Sequence, residues 1–246
     1  ATATLTGLSS TSTPISLAGT TGGLTTGYDE TLDVNLVYDY ASVKGATDAV
    51  TVALNGTNNA DIAVKSNTGT VVTGDKEGVE TINLTSAVAA SSIGSIGSFK
   101  QDGSTGVLKT LAVSGDKNLT IGDVVNFATS STASATVDAS TFTGKLSGTF
   151  NVAGANNAIS VTSFSGDDTI AVTATGSVAA VVTVATGAGD DTVDVTDILT
   201  RSDDATTTTV DESKIVNITI NSGDGNDTIK IGTGNVSIDA GAGNDI

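Results

Sequence analysis

The sequence predicts an all-β chain: a β-sandwich-like module over residues 1–75, an irregular parallel β-solenoid over 76–160, and a regular β-roll over 161–246. Three observations carry this. Thr, Ser, Gly, Ala, Val and Asn dominate the 246 residues, with a single proline at Pro14 and almost no run of the Leu, Glu, Lys and Arg that sustain helices. Short segments of alternating apolar and polar residues recur about every ten residues, with Gly, Asn, Asp and Ser between them. Near the end, a glycine and aspartate pattern repeats at a fixed nine-residue period.

Along the first 75 residues, Leu32 to Val37, Ala49 to Leu54 and Ile62 to Val64 read as strands. All three tyrosines fall here, and Asn55-Gly56 has the composition of a hairpin turn, so this part predicts an antiparallel sandwich-like module. The turn-like GDKEG at Gly74 to Gly78 marks the expected change of architecture. Beyond it the strand candidates are Val79 to Leu84, Leu108 to Val113, Leu119 to Ile121, Phe150 to Val152, Ile159 to Val161, Ile170 to Val172, Val181 to Val184, Val193 to Val195 and Ile215 to Ile220. Their close spacing and small side chains suit coils that each contact only their neighbours. Two segments, Ala87 to Ile96 and Ile121 to Ala128, read as helical turns, the second with Asp123 in its first turn.

Ser222 to Ile246 reads SGDGNDTIK, IGTGNVSID, AGAGNDI. Gly223 and Gly225, and again Gly241 and Gly243, permit a tightly turned backbone with positive φ. Asp227 and Asp245 supply carboxylate oxygen beside turned carbonyls, which is what a hard cation such as Ca2+ requires, since it takes about six to eight oxygen ligands. Two units make one coil, so the separation of Asp227 and Asp245 by 18 residues predicts one layer of offset on the same edge. The central unit has Val236 at the aspartate place and belongs to the other edge. Upstream, Gly187, Gly189 and Asp191 repeat the pattern, 36 residues before Asp227, a distance that reads as two coils. Gly166 and Asp168 complete the candidate metal set, although for Asp168 ordinary turn chemistry between strands is the stronger account. Asn226 and Asn244 read as turn residues facing solvent.

The three-unit tract resembles the RTX repeat family, whose nonapeptide G-G-x-G-x-D-x-U-x implies a calcium-bound parallel β-roll. A second resemblance is carried by GVETINLTS (Gly78 to Ser86), LKTLAVSGDKNLTI (Leu108 to Ile121) and TVDASTFTGKLSGTF (Thr136 to Phe150), which are similar to phrases in bacterial surface-layer proteins of the Caulobacter and Campylobacter type. That resemblance implies solenoidal β-domains with embedded RTX motifs, assembled into a calcium-dependent two-dimensional coat on the cell surface. It also implies type I export, identical subunits as partners and a cell-surface polysaccharide as a possible anchor.

Composition narrows the functions. Without histidine, cysteine, methionine or tryptophan, the chain builds no Ser-His-Asp or Cys-His arrangement and no His/Cys zinc site. Paired carboxylates remain open to acid and base work, but five Phe and three Tyr leave little to line a sugar cleft, so no enzyme is expected. The net charge of −17 argues against nucleic acid. From Asp167 onward there are 14 acidic and three basic residues, an excess of −11 that repels itself unless cations intervene. No stretch reaches the length of a membrane-spanning helix. The functional expectation is a structural surface-layer subunit that binds calcium. Alternatives are the calcium-stiffened repeat region of a type I secreted adhesin and the calcium-binding support of a secreted hydrolase.

Overall fold

The computed structural model describes residues 2–18, 32–43, 47–67, 78–99, 107–128, 134–153, 158–175, 181–196, 198, 216–232 and 234–246. They form two nine-stranded sheets between which the chain alternates. The first holds β1 (Thr2–Leu8), β3 (Leu32–Asp39), β5 (Asn58–Asn67), β7 (Ser91–Phe99), β9 (Leu119–Asn126), β11 (Leu146–Ala153), β13 (Thr169–Thr175), β15 (Thr192–Val195) and β17 (Thr228–Ile231). The second holds β2 (Ile15–Ala18), β4 (Ala49–Asn55), β6 (Thr81–Ser86), β8 (Thr110–Gly115), β10 (Ser134–Phe142), β12 (Ala158–Thr162), β14 (Val181–Ala185), β16 (Asn217–Asn221) and β18 (Asn235–Asp239). Every pairing is parallel and joins a strand to the next but one. This is a β-solenoid: each coil gives one strand to each sheet, and backbone groups are satisfied by the coils on either side.

The period-two side-chain alternation decides which residues face inward. In the second sheet Val50, Ile82, Leu111, Val137, Val161, Val184 and Ile220 stack in one register, and all are essentially inaccessible to water. One residue earlier, on the outer face, Thr81, Thr110, Thr136, Ser160, Thr183 and Thr219 stack in the same way. The inward residues of both sheets form one continuous core from Val34 to Ile220. β-branched residues suit this because they pack well on a pleated surface.

From β4 onward, connections from the second sheet to the first are short and regular. Residues 56–57, 87–90, 116–118 and 143–145 close four successive coils, and six-residue turns at 163–168, 186–191 and 222–227 close the next three. Length variation falls on the opposite edge, where 196–216 separates β15 from β16.

Several expectations are corrected. Within 1–75 the described strands form no antiparallel sandwich-like module; β1, β3 and β5, and β2 and β4, pair in parallel in the same two sheets as the rest. Pairing of β5 with β7 and of β4 with β6 carries both sheets past the expected change of architecture, of which 74–77 lie outside the described residues. Gly56, at φ 64°, turns the chain from one sheet to the other and closes no hairpin. The segments read as helical turns are β7 and β9. Their helix-like spacing comes from bulges: Ile93 and Ile96 are three apart because β7 shifts register against β5 there, and Ile121 and Val125 are four apart because β9 shifts against β11. The single 3-10 turn at Tyr40–Ser42 is the only helical element among the described residues, and no helix there is long and apolar enough to cross a membrane.

Phe150, fully buried on β11, lies in the middle of the stack. Its replacement by Ala should cost about 3–5 kcal/mol, read as a lower urea midpoint of the whole chain at unchanged slope.

Candidate metal centre

The turns at 163–168, 186–191 and 222–227, with their continuation at 240–245, stack directly. Isolated parallel bridges join Ser165 to Ala188, Ala188 to Asp224 and Asp224 to Ala242. Such close stacking leaves no space for side chains at two positions per turn. A Cβ on Gly187 would collide with the Phe164 carbonyl, on Gly223 with that of Gly187, and on Gly241 with that of Gly223. The second position repeats this for Gly189 on Gly166, Gly225 on Gly189 and Gly243 on Gly225. All seven glycines, Gly166 included, have φ between 81° and 150°, a region that L side chains avoid.

These glycines bring the four predicted aspartates into one column. Asp168 N–H donates to Asp191 Oδ1 at 2.7 Å, Asp191 N–H to Asp227 Oδ1 at 2.9 Å, and Asp227 N–H to Asp245 Oδ1 at 3.0 Å. Below them, the Leu146 N–H donates to Asp168 Oδ1 at 2.7 Å. Steps of 23, 36 and 18 residues are therefore each a single layer. The 36-residue separation, expected to be two coils, is one coil whose extra residues enter on the other edge, between β15 and β16. Asp168, for which turn chemistry was the preferred account, is a full member of the column.

One oxygen of each carboxylate is thus spent on a backbone amide. The other is not: Oδ2 of Asp168, Asp191 and Asp227 is buried with no hydrogen-bond partner, and these residues are 0–1% exposed. Asp245 is half-buried. Among the described residues no three or more acidic groups converge on one point; the turns at 163–168, 186–191 and 222–227 each supply one buried carboxylate. Carbonyl oxygen is available beside it, since no described backbone N–H donates to the carbonyl of Gly166, Gly189 or Gly225.

Two further columns flank the aspartates. The hydroxyls of Ser163, Thr186 and Ser222 donate to the carbonyls of Thr186, Ser222 and Ala240, each at 3.0 Å, tying every turn to the next. A Ser or Thr immediately after β12, β14 and β16, directly before the glycine in two cases, was the overlooked signal. On the outside, the Asp190 N–H donates to Asp167 Oδ1, Asn226 donates through N–H and Nδ2 to Asp190 Oδ1, and Asn244 does the same to Asn226 Oδ1. Asn226 and Asn244 are exposed, as expected, and also form an amide ladder.

Burial dominates the electrostatics. It pushes the Asp168 carboxyl up to about 6, against the lowering effect of the Leu146 N–H and the Ser163 hydroxyl, while the charge of Asp191 raises it further. Asp191 is raised too, by burial first, against the Thr186 hydroxyl and the Asp168 N–H, and with help from Asp227 and Asp167. On the outer faces, hydrogen bonds from Ser140 hold Asp138 low and those from Thr196 hold Asp194 low.

No family model, curated protein or solved structure matches the chain.

A carboxyl whose folded pKa exceeds its unfolded 3.8 holds its proton more tightly in the fold. For Asp168 the cost of ionisation is complete above about pH 6 and gone below about 3.8. With chelator present, lowering the pH from 7 to 4.5 should therefore relieve this cost, while Asp138 and Asp194, held below 3.8, lose their contribution only beneath that window. Far-ultraviolet circular dichroism of the chain and of Asp168→Asn across that range isolates the effect: the difference between the two should shrink as pH falls. Gly225→Ala, placed where a Cβ meets the Gly189 carbonyl, should lower the unfolding free energy in calcium by roughly 1 kcal/mol or more, the strain expected at positive φ, read from urea titration.

Proposed function

We propose that the chain is a structural protein whose stacked turns bind calcium, and that calcium-ordered solenoids of this kind assemble with identical subunits into a cell-surface layer. The observation that carries the reading is the set of buried, unpartnered Oδ2 atoms of Asp168, Asp191 and Asp227. An ionised carboxylate removed from water costs several kcal/mol even after relaxation, as a rough figure, unless a countercharge meets it. Stacked about 4.8 Å apart, neighbouring carboxylates also repel by roughly 3 kcal/mol at an effective dielectric of 20.

The donor set is the reason to choose calcium among cations. It consists of carboxylate and carbonyl oxygen, with no histidine or cysteine anywhere in the chain. Hard cations prefer such oxygen, and calcium tolerates the irregular geometry that turned backbone provides. Asp168, Asp191, Asp227 and Asp245 would hold the ions, with the glycine carbonyls of the same turns completing the shell. A bound ion would supply positive charge and bridge adjacent layers; the chain's part is to place one carboxylate per layer and exclude water from it.

Assembly rests on architecture. Nine strands per sheet in one uninterrupted stack give a rigid subunit, and its net charge of −17 makes neighbouring copies repel unless cations bridge them. The uninterrupted stack also favours a second reading, the stiffened repeat region of a secreted adhesin.

Isothermal titration should show calcium uptake that Asp191→Asn and Asp227→Asn each reduce in stoichiometry. Uptake that is absent, or unchanged in both variants, would remove the metal reading. Electron microscopy with and without calcium separates the two functions: sheets or tubes that dissolve in chelator support the surface layer, and isolated rods support the adhesin.

A further inference from the structure

The aspartate column stops abruptly. In the turn before Asp168 the same place is taken by Leu146, and in the turn before that by Leu119; both are completely buried. Leu146 is bonded to the layer above through the same N–H to Oδ1 contact that the aspartates use, so geometry continues while chemistry changes. The turns change with it, from the three residues of 116–118 and 143–145 to the six of 163–168. Between 47 and 153 none of the described side chains leaves a buried polar atom without a partner. The one strongly buried acid there, Glu80, accepts the Asp48 N–H at 3.0 Å and has Lys109 near it.

From this contrast we infer that the solenoid is a metal-independent base carrying a metal-dependent extension, and that the extension orders outward from the base, layer by layer from Asp168 toward Asp245. This rests on the calcium reading above and adds a direction to it. In a stack where each coil touches only its neighbours, a coil gains interface energy only against a neighbour already formed, and here the layers free of buried, unpartnered carboxylate lie on one side. The layer of β10 and β11 stands without cations, with Val137, Phe142, Leu146 and Phe150 fully buried. It offers β12 and β13 complete parallel edges, five pairs on β10 and seven on β11. Each later layer buries a carboxylate and so requires an ion as well as a formed neighbour. Nucleation elsewhere in the extension would pay loop closure with no template, since β15 and β16 are separated by 196–216.

Hydrogen exchange read by mass spectrometry on the 246-residue chain tests this. In chelator, amides of β6 to β11 should keep their protection and amides of β12 to β18 should lose it; calcium should restore the latter. Loss of protection throughout the chain in chelator would overturn the independent base while leaving the calcium reading intact. Protection of β12 to β18 that is equal with and without calcium would defeat the calcium reading itself. Direction is read from two variants in calcium, Asp191→Asn and Asp227→Asn, in which the amide oxygen still accepts the bond from the layer below. Asp227→Asn should leave β12 to β15 protected and expose β16 to β18, whereas Asp191→Asn should expose everything from β14 onward. If Asp227→Asn exposes β14 and β15 as fully as Asp191→Asn does, outward ordering is wrong.

Discussion

A carboxylate buried in a stack of identical turns is the constraint from which the second half of this molecule follows. The coils sit about 4.8 Å apart because parallel hydrogen bonding sets that distance. At this spacing Asp168, Asp191 and Asp227 cannot avoid one another, and their free oxygens have no donor to meet. The seven glycines on the same edge are the other side of the same constraint. Each turn lies so close to the next that a Cβ at Gly223 or Gly225 would enter the carbonyl beneath it. The unpartnered charge is what the proposed cation between layers would meet.

The base of the solenoid solves the same stacking problem without charge. At 116–118 and 143–145 the turns are short, and the column continues in leucine. Aliphatic and aromatic side chains fill the space between the sheets, and the surface is left to Thr, Ser and Asn. On the proposed reading, one fold carries two modes of stabilisation, apolar packing below and a carboxylate column that a cation would neutralise above, joined through a register that never breaks between β10, β12, β14, β16 and β18. Such a division would allow one part to hold its shape while the other responds to its ionic surroundings.

What the sequence disclosed follows from how regular each part is. Ser222 to Ile246 was legible because glycine, glycine and aspartate recur at an unbroken period, and the structure places those residues in stacked turns. The layer offset of Asp227 and Asp245 could be counted from that period. Asp191 and Asp168 were harder, because 36 residues are two 18-residue periods but a single layer, and 23 residues are no multiple of 18. Insertions that leave on the far edge change the count without changing the layer, so spacing misleads where register does not. β7 and β9 were misread for a related reason: their bulges place apolar residues three and four apart, which is the helical interval. The antiparallel reading of the first 75 residues rested on Asn55-Gly56, whose positive φ serves an inter-sheet corner as well as a hairpin. Strands β1, β2 and β10 were missed because their low-complexity Thr, Ser and Ala sequence carries little apolar signal.

The most direct measurement is an anomalous-difference map from crystals of the chain grown with calcium. The account predicts density between successive members of the column Asp168, Asp191, Asp227 and Asp245, within ligand distance of their free carboxylate oxygens, and none beside Leu119 or Leu146. A map with no density along that edge, in crystals that show ordered turns there, would contradict it.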